Sequence, residues 1–250
     1  MAELSPITTP DIKRPPKELC DALREIGSAT CAGELNRLGI RQPTITGPKC
    51  YTPDLCVAGP ALTLRFMPRR EDKHPVGEYA GPERQLHRQV LLHTQPGDIV
   101  VVDACGNMYS GVFGEMMLTF FKGRGGAGVV IDGCIRDYPD AKTLGLGLWL
   151  KGTTPNFHVQ HDVFPVEVNG PVACGGVYVE PGDIIVADED GVVCVPVALA
   201  PELVEKAGAH REWEVFTKMK LLEGGDLRKY YPLNEDGQKE YEEWKKQQGK

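Results

Sequence analysis

Between Asp98 and Lys151, apolar runs and glycine-bearing polar loops alternate in an order that leaves few folds open. DIVVVDA, residues 98–104, is an apolar run of strand length. The loop CGNMYSGVFGE follows and leads into a helical segment, roughly Glu115–Lys122. GRGGAG turns the chain into a second apolar run, VVID, which ends in the loop GCIRDYPD. A helix near Ala141–Leu144 and a strand near Leu148–Lys151 complete the series. Strand, helix, strand, helix, strand at this spacing predicts neighbouring parallel strands joined by right-handed crossovers, and so an α/β fold.

The flanks set the limits of that fold. Residues 1–16 are rich in Pro and Thr and read as an arm. From Lys17 to Leu38 the pattern is helical: Leu19, Leu23 and Ile26 share one face, then Cys31, Leu35 and Leu38 another, with Gly27 and Gly39 as stops. Residues 57–66 read as a strand, 68–85 as a loop and 86–95 as a short helix. After Thr153 the chain becomes β-rich. VEVNGPVAC predicts a hairpin turning at Asn169-Gly170. GVYVEPGDIIVADEDGVVCVP adds two or three short strands that turn at Pro-Gly and Asp-Gly. Residues 200–222 are helical, and the charged tail carries a helical stretch near Gln238–Gln248. The expected organisation is an arm over 1–16, a single α/β domain over 17–222 and a charged extension over 223–250.

Composition removes several classes of partner. A formal net charge of −7 gives no broad field for phosphate backbones, so no nucleic-acid partner is expected. No apolar run is long enough to span a bilayer, and the first residues lack the apolar stretch of a secretory signal. The eight cysteines include no CxxC pair, which predicts free thiols in a reducing compartment rather than disulfides or a zinc site. A cytoplasmic protein with no membrane partner is the expectation.

In an open α/β sheet, ligands bind beyond the carboxyl ends of the strands. Two loops leave such ends. The first carries Asp103, Asn107, Gly111, Gly114 and Glu115; the second carries Asp132, Arg136 and Asp137. Parallel neighbours would bring both loops to one cleft. A hard cation such as Mg²⁺ takes oxygen ligands and keeps several waters. Asp137 could hold it directly, with Glu115 or Asp103 acting through water. Arg136 offers a planar fork for a carboxylate or enolate oxygen. The helix start after Gly114 presents backbone N–H groups to a substrate carboxylate. The plainer alternative makes Asp137 the N-cap of the following helix and Arg136 its surface partner.

Two separated motifs bear on that choice. In GNMYSGVFGEMMLTFFKGRGGAGVVIDGCIRD, an acidic residue, Glu115, is followed by twenty positions and then Arg136-Asp137. GGVYVEPGDIIVADEDGVVCVP occupies 175–196. Together they resemble the 4-hydroxy-4-methyl-2-oxoglutarate / 4-carboxy-4-hydroxy-2-oxoadipate aldolase family, which is related to the RraA ribonuclease regulators. The resemblance is strong over roughly 97–200 and weaker over 28–66. It implies a layered α-β-β-α sandwich of the RraA-like, phosphohistidine-domain-like type, assembled as a homotrimer or homohexamer with sites between subunits. It also implies a divalent-metal lyase that cleaves a 4-hydroxy-2-oxo acid to pyruvate and a second oxo compound, with oxaloacetate decarboxylase activity. Asp137 would ligate Mg²⁺ or Mn²⁺, and Glu115 would hold a metal-bound water. Arg136 would contact the pyruvyl oxygens. Gly114 and the backbone amides of Glu115, Met116 and Met117 would cradle the carboxylate. A glutamate from a neighbouring subunit's late helix completes the family site; Glu212 is the candidate, with Glu205 and Glu214 as alternatives. Many members have Asp where this chain has Glu115. The competing function is a non-catalytic regulator that binds a ribonuclease. A methyltransferase label also attaches to the family, but no glycine-rich strand-to-helix turn paired with a ribose-binding acid is present.

Other residues carry plainer readings. His158 and His161, in FHVQH, read as surface or hydrogen-bonding groups. Asp98, Asp188 and Asp190 sit at turns, where Asp is favoured. Cys105 has no local base. Trp213, Phe216 and Met219 share a helical face suited to a core or subunit contact.

Overall fold

In the computed structural model, which describes residues 7–74, 81–158 and 162–248, the chain forms two compact units, residues 1–201 and 202–250. The helix expected to close the first domain, Ala200–Leu222, falls almost wholly in the second unit.

The first unit opens with α1 (Lys17–Ile26) and α2 (Ser28–Arg37), parted by Gly27 at φ 84°, a conformation that favours glycine. Next come β1 (Thr44–Ile45), β2 (Lys49–Cys50), β3 (Val57–Pro68), α3 (Leu86–Leu92), β4 (Ile99–Asp103) and α4 (Glu115–Gly123). They are followed by β5 (Gly128–Ile135), α5 (Tyr138–Ala141) and β6 (Gly147–Thr153). The β-rich part supplies β7 (Val163–Val168), β8 (Val172–Cys174), β9 (Val177–Val179), β10 (Ile184–Ala187) and β11 (Val192–Val195). As the alternation predicts, β3, β4, β5 and β6 lie side by side and parallel. β10, β11 and β1 extend the sheet beyond β3, and β2 extends it beyond β6.

Alternate side chains of the parallel strands serve two cores. Leu62, Leu64, Val100, Val102, Val129 and Ile131 pack with Val90, Leu91, Leu118 and Phe121 of α3 and α4. Ala61, Ile99, Val101, Val130 and Trp149 pack with Val172, Cys174, Val179, Ile185 and Val192 of the second β-layer. α1 and α2 pack on β10 and β11. The order is helices, sheet, sheet, helices: the expected α-β-β-α sandwich. All eight residues of β5 are buried because both its faces are covered. Each fully buried aliphatic side chain contributes about 1.5–3 kcal/mol relative to exposure.

Two expectations are corrected. Asn169-Gly170 turns the chain, with Asn169 at φ 54°, but its flanking strands do not form a hairpin. β7 joins β3, and β8 pairs with β9. Asn169 instead anchors to β3: its N–H donates to the Thr63 carbonyl at 2.8 Å and its Oδ1 accepts from the Thr63 N–H at 3.2 Å. A turn motif sets local direction, not the partner strand. Asp98 is more than a turn residue. It is buried, and Arg14 of the arm donates to it through Nε at 3.0 Å and Nη2 at 2.8 Å. The arm is thereby pinned to the end of the sheet.

The second unit holds most of α6 (Ala200–Leu222), with α7 (Leu227–Tyr230) and α8 (Glu235–Gln247). Phe216, Tyr230 and Tyr241 form its small core, with Trp213, Met219 and Trp244 against them. Asn234 caps α8 by accepting from the N–H groups of Asp236 and Gly237. All eight cysteines are free. No helix among the described residues is long and apolar enough to cross a membrane.

Candidate functional site

The site is built where the β4 and β5 loops meet. The loop after β4 does not swing away; it runs along the end of β5. Gly111 bridges Cys134 in parallel fashion, Val112 N–H donates to the Cys134 carbonyl at 3.0 Å, and Arg136 N–H donates to the Phe113 carbonyl at 3.0 Å. Asn107 shapes the loop by accepting from Tyr109 and Ser110 N–H groups. The approach is close enough to exclude side chains. A Cβ on Gly114 would lie 2.7 Å from Asp137 Oδ2 and 3.0 Å from Arg136 Nε. A Cβ on Gly111 would meet the Asn156 carbonyl at 2.6 Å and Arg136 Cβ at 3.1 Å.

Glu115 and Asp137 are thus brought together. Glu115 N–H, the first amide of α4, points at Asp137 Oδ2 across 3.4 Å. Gly114 at the cap position has no side chain to occupy the helix end, so the Glu115 amide faces the loop junction; of the three amides expected to cradle a carboxylate, that of Met117 instead donates to the Gly114 carbonyl at 3.1 Å, closing the first turn. Arg136 Nε lies 3.2 Å from the same Asp137 oxygen. Asp137 adopts φ 57°, ψ 33°, a left-handed conformation that stores of order 1 kcal/mol or more in a non-glycine residue. It occupies the cap position of α5, yet its side chain makes no capping hydrogen bond. The N-cap alternative therefore fails: the carboxylate serves the junction with α4, not its own helix. Both side chains are about two-fifths exposed, 41% for Arg136 and 42% for Asp137, so a ligand can reach them. The Glu115 carboxylate accepts from Thr119 Oγ1 at 3.0 Å along the flank of α4. Met116 is exposed, and Met117 packs partly on the core.

Other predicted acids go elsewhere. Asp103 faces the second β-layer, where it accepts from the Cys105 N–H at 3.1 Å and the Ala173 N–H at 3.4 Å. Asp132 is buried and paired with Lys151 at 2.9 Å. Glu212 lies in the second unit, paired with Lys245 Nζ at 3.4 Å. Glu205 is exposed and Glu214 half-buried on the same helix.

Among the described residues, no three His, Cys, Asp or Glu side chains converge as a metal cage. One or two carboxylates completed by water and substrate oxygens is the donor set that suits Mg²⁺ or Mn²⁺; Asp137 could supply one such ligand, while Glu115 meets Asp137 through its backbone amide and places its carboxylate on Thr119.

Sequence reasoning missed a basic neighbourhood beside Arg136. His158 is half-buried. Its ring centroid lies 4.4 Å from that of buried His87. Burial first, then the charges of Arg88 and Arg136, hold its imidazole below the usual value. No local signal links His87 and His158, which are far apart in the chain. His161 lies outside the described residues. Cys105, at φ 55°, donates from Sγ to the Phe66 carbonyl. Burial, then Asp103 and Asp132, push its thiol up, which argues against a nucleophile.

Comparison with known proteins places this arrangement. A family model described as RraA-like, Aldolase/RraA, matches residues 17–194. The structure of Streptomyces coelicolor RraAS2, described as an unusual member of the RNase ES inhibitor RraA protein family, is 44% identical with a TM-score of 0.74. That match covers 83% of this chain and 98% of the other. A Halalkalibacterium halodurans protein, provisionally named a 4-hydroxy-4-methyl-2-oxoglutarate aldolase, is 32% identical over 151 residues, 58% of this chain and 71% of that protein. A Pseudomonas syringae structure at 22% identity shares the fold, with a TM-score of 0.76 over 90% of this chain and 98% of its own.

Proposed function

The chain belongs to the RraA-like family, and from that premise we propose that it is a divalent-metal-dependent lyase. It cleaves a 4-hydroxy-2-oxo acid to pyruvate and a second oxo compound, and it also decarboxylates oxaloacetate. The observation that carries this reading is Asp137: strained, uncommitted to its own helix, and turned toward the start of α4 beside Arg136.

Asp137, with Glu115, would hold Mg²⁺ or Mn²⁺, which when bound supplies Lewis acidity to the keto and carboxylate oxygens. The Met116 amide and the long-bonded Glu115 amide orient the substrate carboxylate at the helix start beyond Gly114; the Met117 amide, committed to the Gly114 carbonyl at 3.1 Å, does not take part. Arg136 is held through Nε, so its terminal nitrogens remain for the keto oxygen. A carboxylate, Glu115 or a late-helix glutamate of a neighbouring copy such as Glu212, takes the C4 hydroxyl proton. The C3–C4 bond breaks, its electron pair passes into a pyruvate enolate, and the C4 fragment leaves as the oxo compound. Arg136 stabilises the developing oxyanion, and protonation at C3 gives pyruvate. Loss of CO₂ from oxaloacetate gives the same enolate. The proposal includes a cytoplasmic homotrimer or homohexamer.

The test is pyruvate release across a panel of 4-hydroxy-2-oxo acids and oxaloacetate. Release with Mg²⁺ that stops with chelator is expected. No release from any member, with Mg²⁺ or Mn²⁺ supplied, overturns the reading.

A second reading is favoured by one observation, the 44% identity to a member of an RNase ES inhibitor family. It makes the chain a ribonuclease-binding regulator. Tight binding to such a ribonuclease without metal-dependent pyruvate release would select it.

A further inference from the structure

The groups assigned so far handle one end of the substrate. Asp137, Arg136 and the α4 amides meet the 2-oxo carboxylate, but a glutarate skeleton, such as that named for the H. halodurans relative, carries a second one. A cleft of about 460 Å³ opens beside the first turn of α4, between α3 and α4. Leu91, Leu92, Met116 and Phe120 give it apolar walls, and among the described residues its charged lining side chains are Glu83 and Arg88. Arg88 is exposed, and its guanidinium makes no hydrogen bond or ion pair among the described residues.

Two contacts link the turn of α3 that carries Arg88 to the Arg136 junction. Its neighbour on α3, His87, lies against His158 at 4.4 Å between ring centroids. The segment leading to His158 runs against Gly111, where a Cβ would meet both the Asn156 carbonyl and Arg136 Cβ. The cleft therefore runs past Met116 and Met117, in the first turn of the helix whose start faces Asp137, and carries a second cation, Arg88.

We infer that Arg88 is the specificity-determining residue for the substrate's distal carboxylate, reading it with a planar fork above apolar walls. The inference rests on the lyase reading of this site. A guanidinium matches a carboxylate two bonds at a time, in a charge-assisted contact.

Arg88→Gln keeps a polar end on a shorter side chain and removes the charge. The experiment measures, by calorimetry with Mg²⁺, binding of 2-oxoglutarate and 2-oxopentanoate to the full-length wild type and the R88Q variant. The two acids have equal chain length and differ in the second carboxylate; neither carries the C4 hydroxyl. Wild type is expected to prefer the diacid by about tenfold, R88Q to lose that preference, and monoacid affinity to change by less than about twofold. Arg88→Lys should retain part of the preference. Equal wild-type binding of both acids, or an undiminished preference in R88Q, overturns the inference and leaves the lyase reading standing. Failure of wild type to bind either acid overturns both. A changed subunit count in R88Q by sedimentation, with the preference intact, makes the cleft a contact between copies and also overturns it.

Discussion

Two arginine–aspartate pairs sit at opposite ends of the parallel strands, and they differ in everything except residue type. Arg14–Asp98 closes the end where β4 begins. Its carboxylate is fully buried and accepts from Arg14 Nε, Arg14 Nη2 and Gln95 N–H. Burial pushes the Asp98 carboxyl up, and Arg14 pulls it only part of the way back. Arg136–Asp137 stands where β5 ends. It makes one guanidinium contact at 3.2 Å and one long amide contact at 3.4 Å, both side chains being partly exposed. A carboxylate has about four acceptor positions. Asp98 has spent most of its own on the fold, whereas Asp137 keeps its remaining ones for something else. An ion pair is read by its saturation and solvation, not by its composition.

The sharpest break between the pairs is functional. Asp137→Asn keeps the shape and tolerates the left-handed backbone. Pyruvate release should fall about a thousandfold or more as the metal-binding charge goes, with stability changed by less than about 0.5 kcal/mol. Full turnover in that variant would erase the distinction. Asp98→Asn should do the reverse: breaking a buried pair costs about 3–5 kcal/mol in urea unfolding, with kcat of the folded protein unchanged. A neutral outcome would make Arg14–Asp98 decorative.

A smaller effect sharpens the contrast through pH. His87 lies beneath the open end, and burial, then His158 and Arg88, hold it well below its usual value. The folded state therefore binds fewer protons than the unfolded one as pH falls past about 6.5. Stability is complete above that pH and is lost below it, with a limiting slope of about 1.4 kcal/mol per pH unit. His87→Gln should flatten the difference between urea midpoints at pH 7.5 and 5.5. An unchanged difference would remove His87 from the account.

Much of this was legible because apolar runs and helix starts are local. DIVVVDA, the helix at Glu115 and the stop at Gly27 follow from composition over a few residues. The approach of Glu115 to Asp137 followed from one further rule, that parallel neighbours release their loops at the same end. What stayed hidden depends on distant partners. The hairpin expected at Asn169-Gly170 failed because β7 found β3. Asp103 went to the other face because strand parity at the end of β4 aims it toward Ala173. His87 and His158 share no local pattern, so Arg88 beside them could not be singled out.

β3 gives the fold a long wait. Its first four residues pair with β10, its middle with β4 and its end with β7. The β10 partner is Ile184–Ala187, close to the last strand of the unit. A nascent chain emerging from the ribosome must therefore hold an apolar ribbon with one open margin until most of its length has been made. Such a ribbon invites self-association, so this protein should depend on chaperones most between synthesis of its first long strand and its tenth.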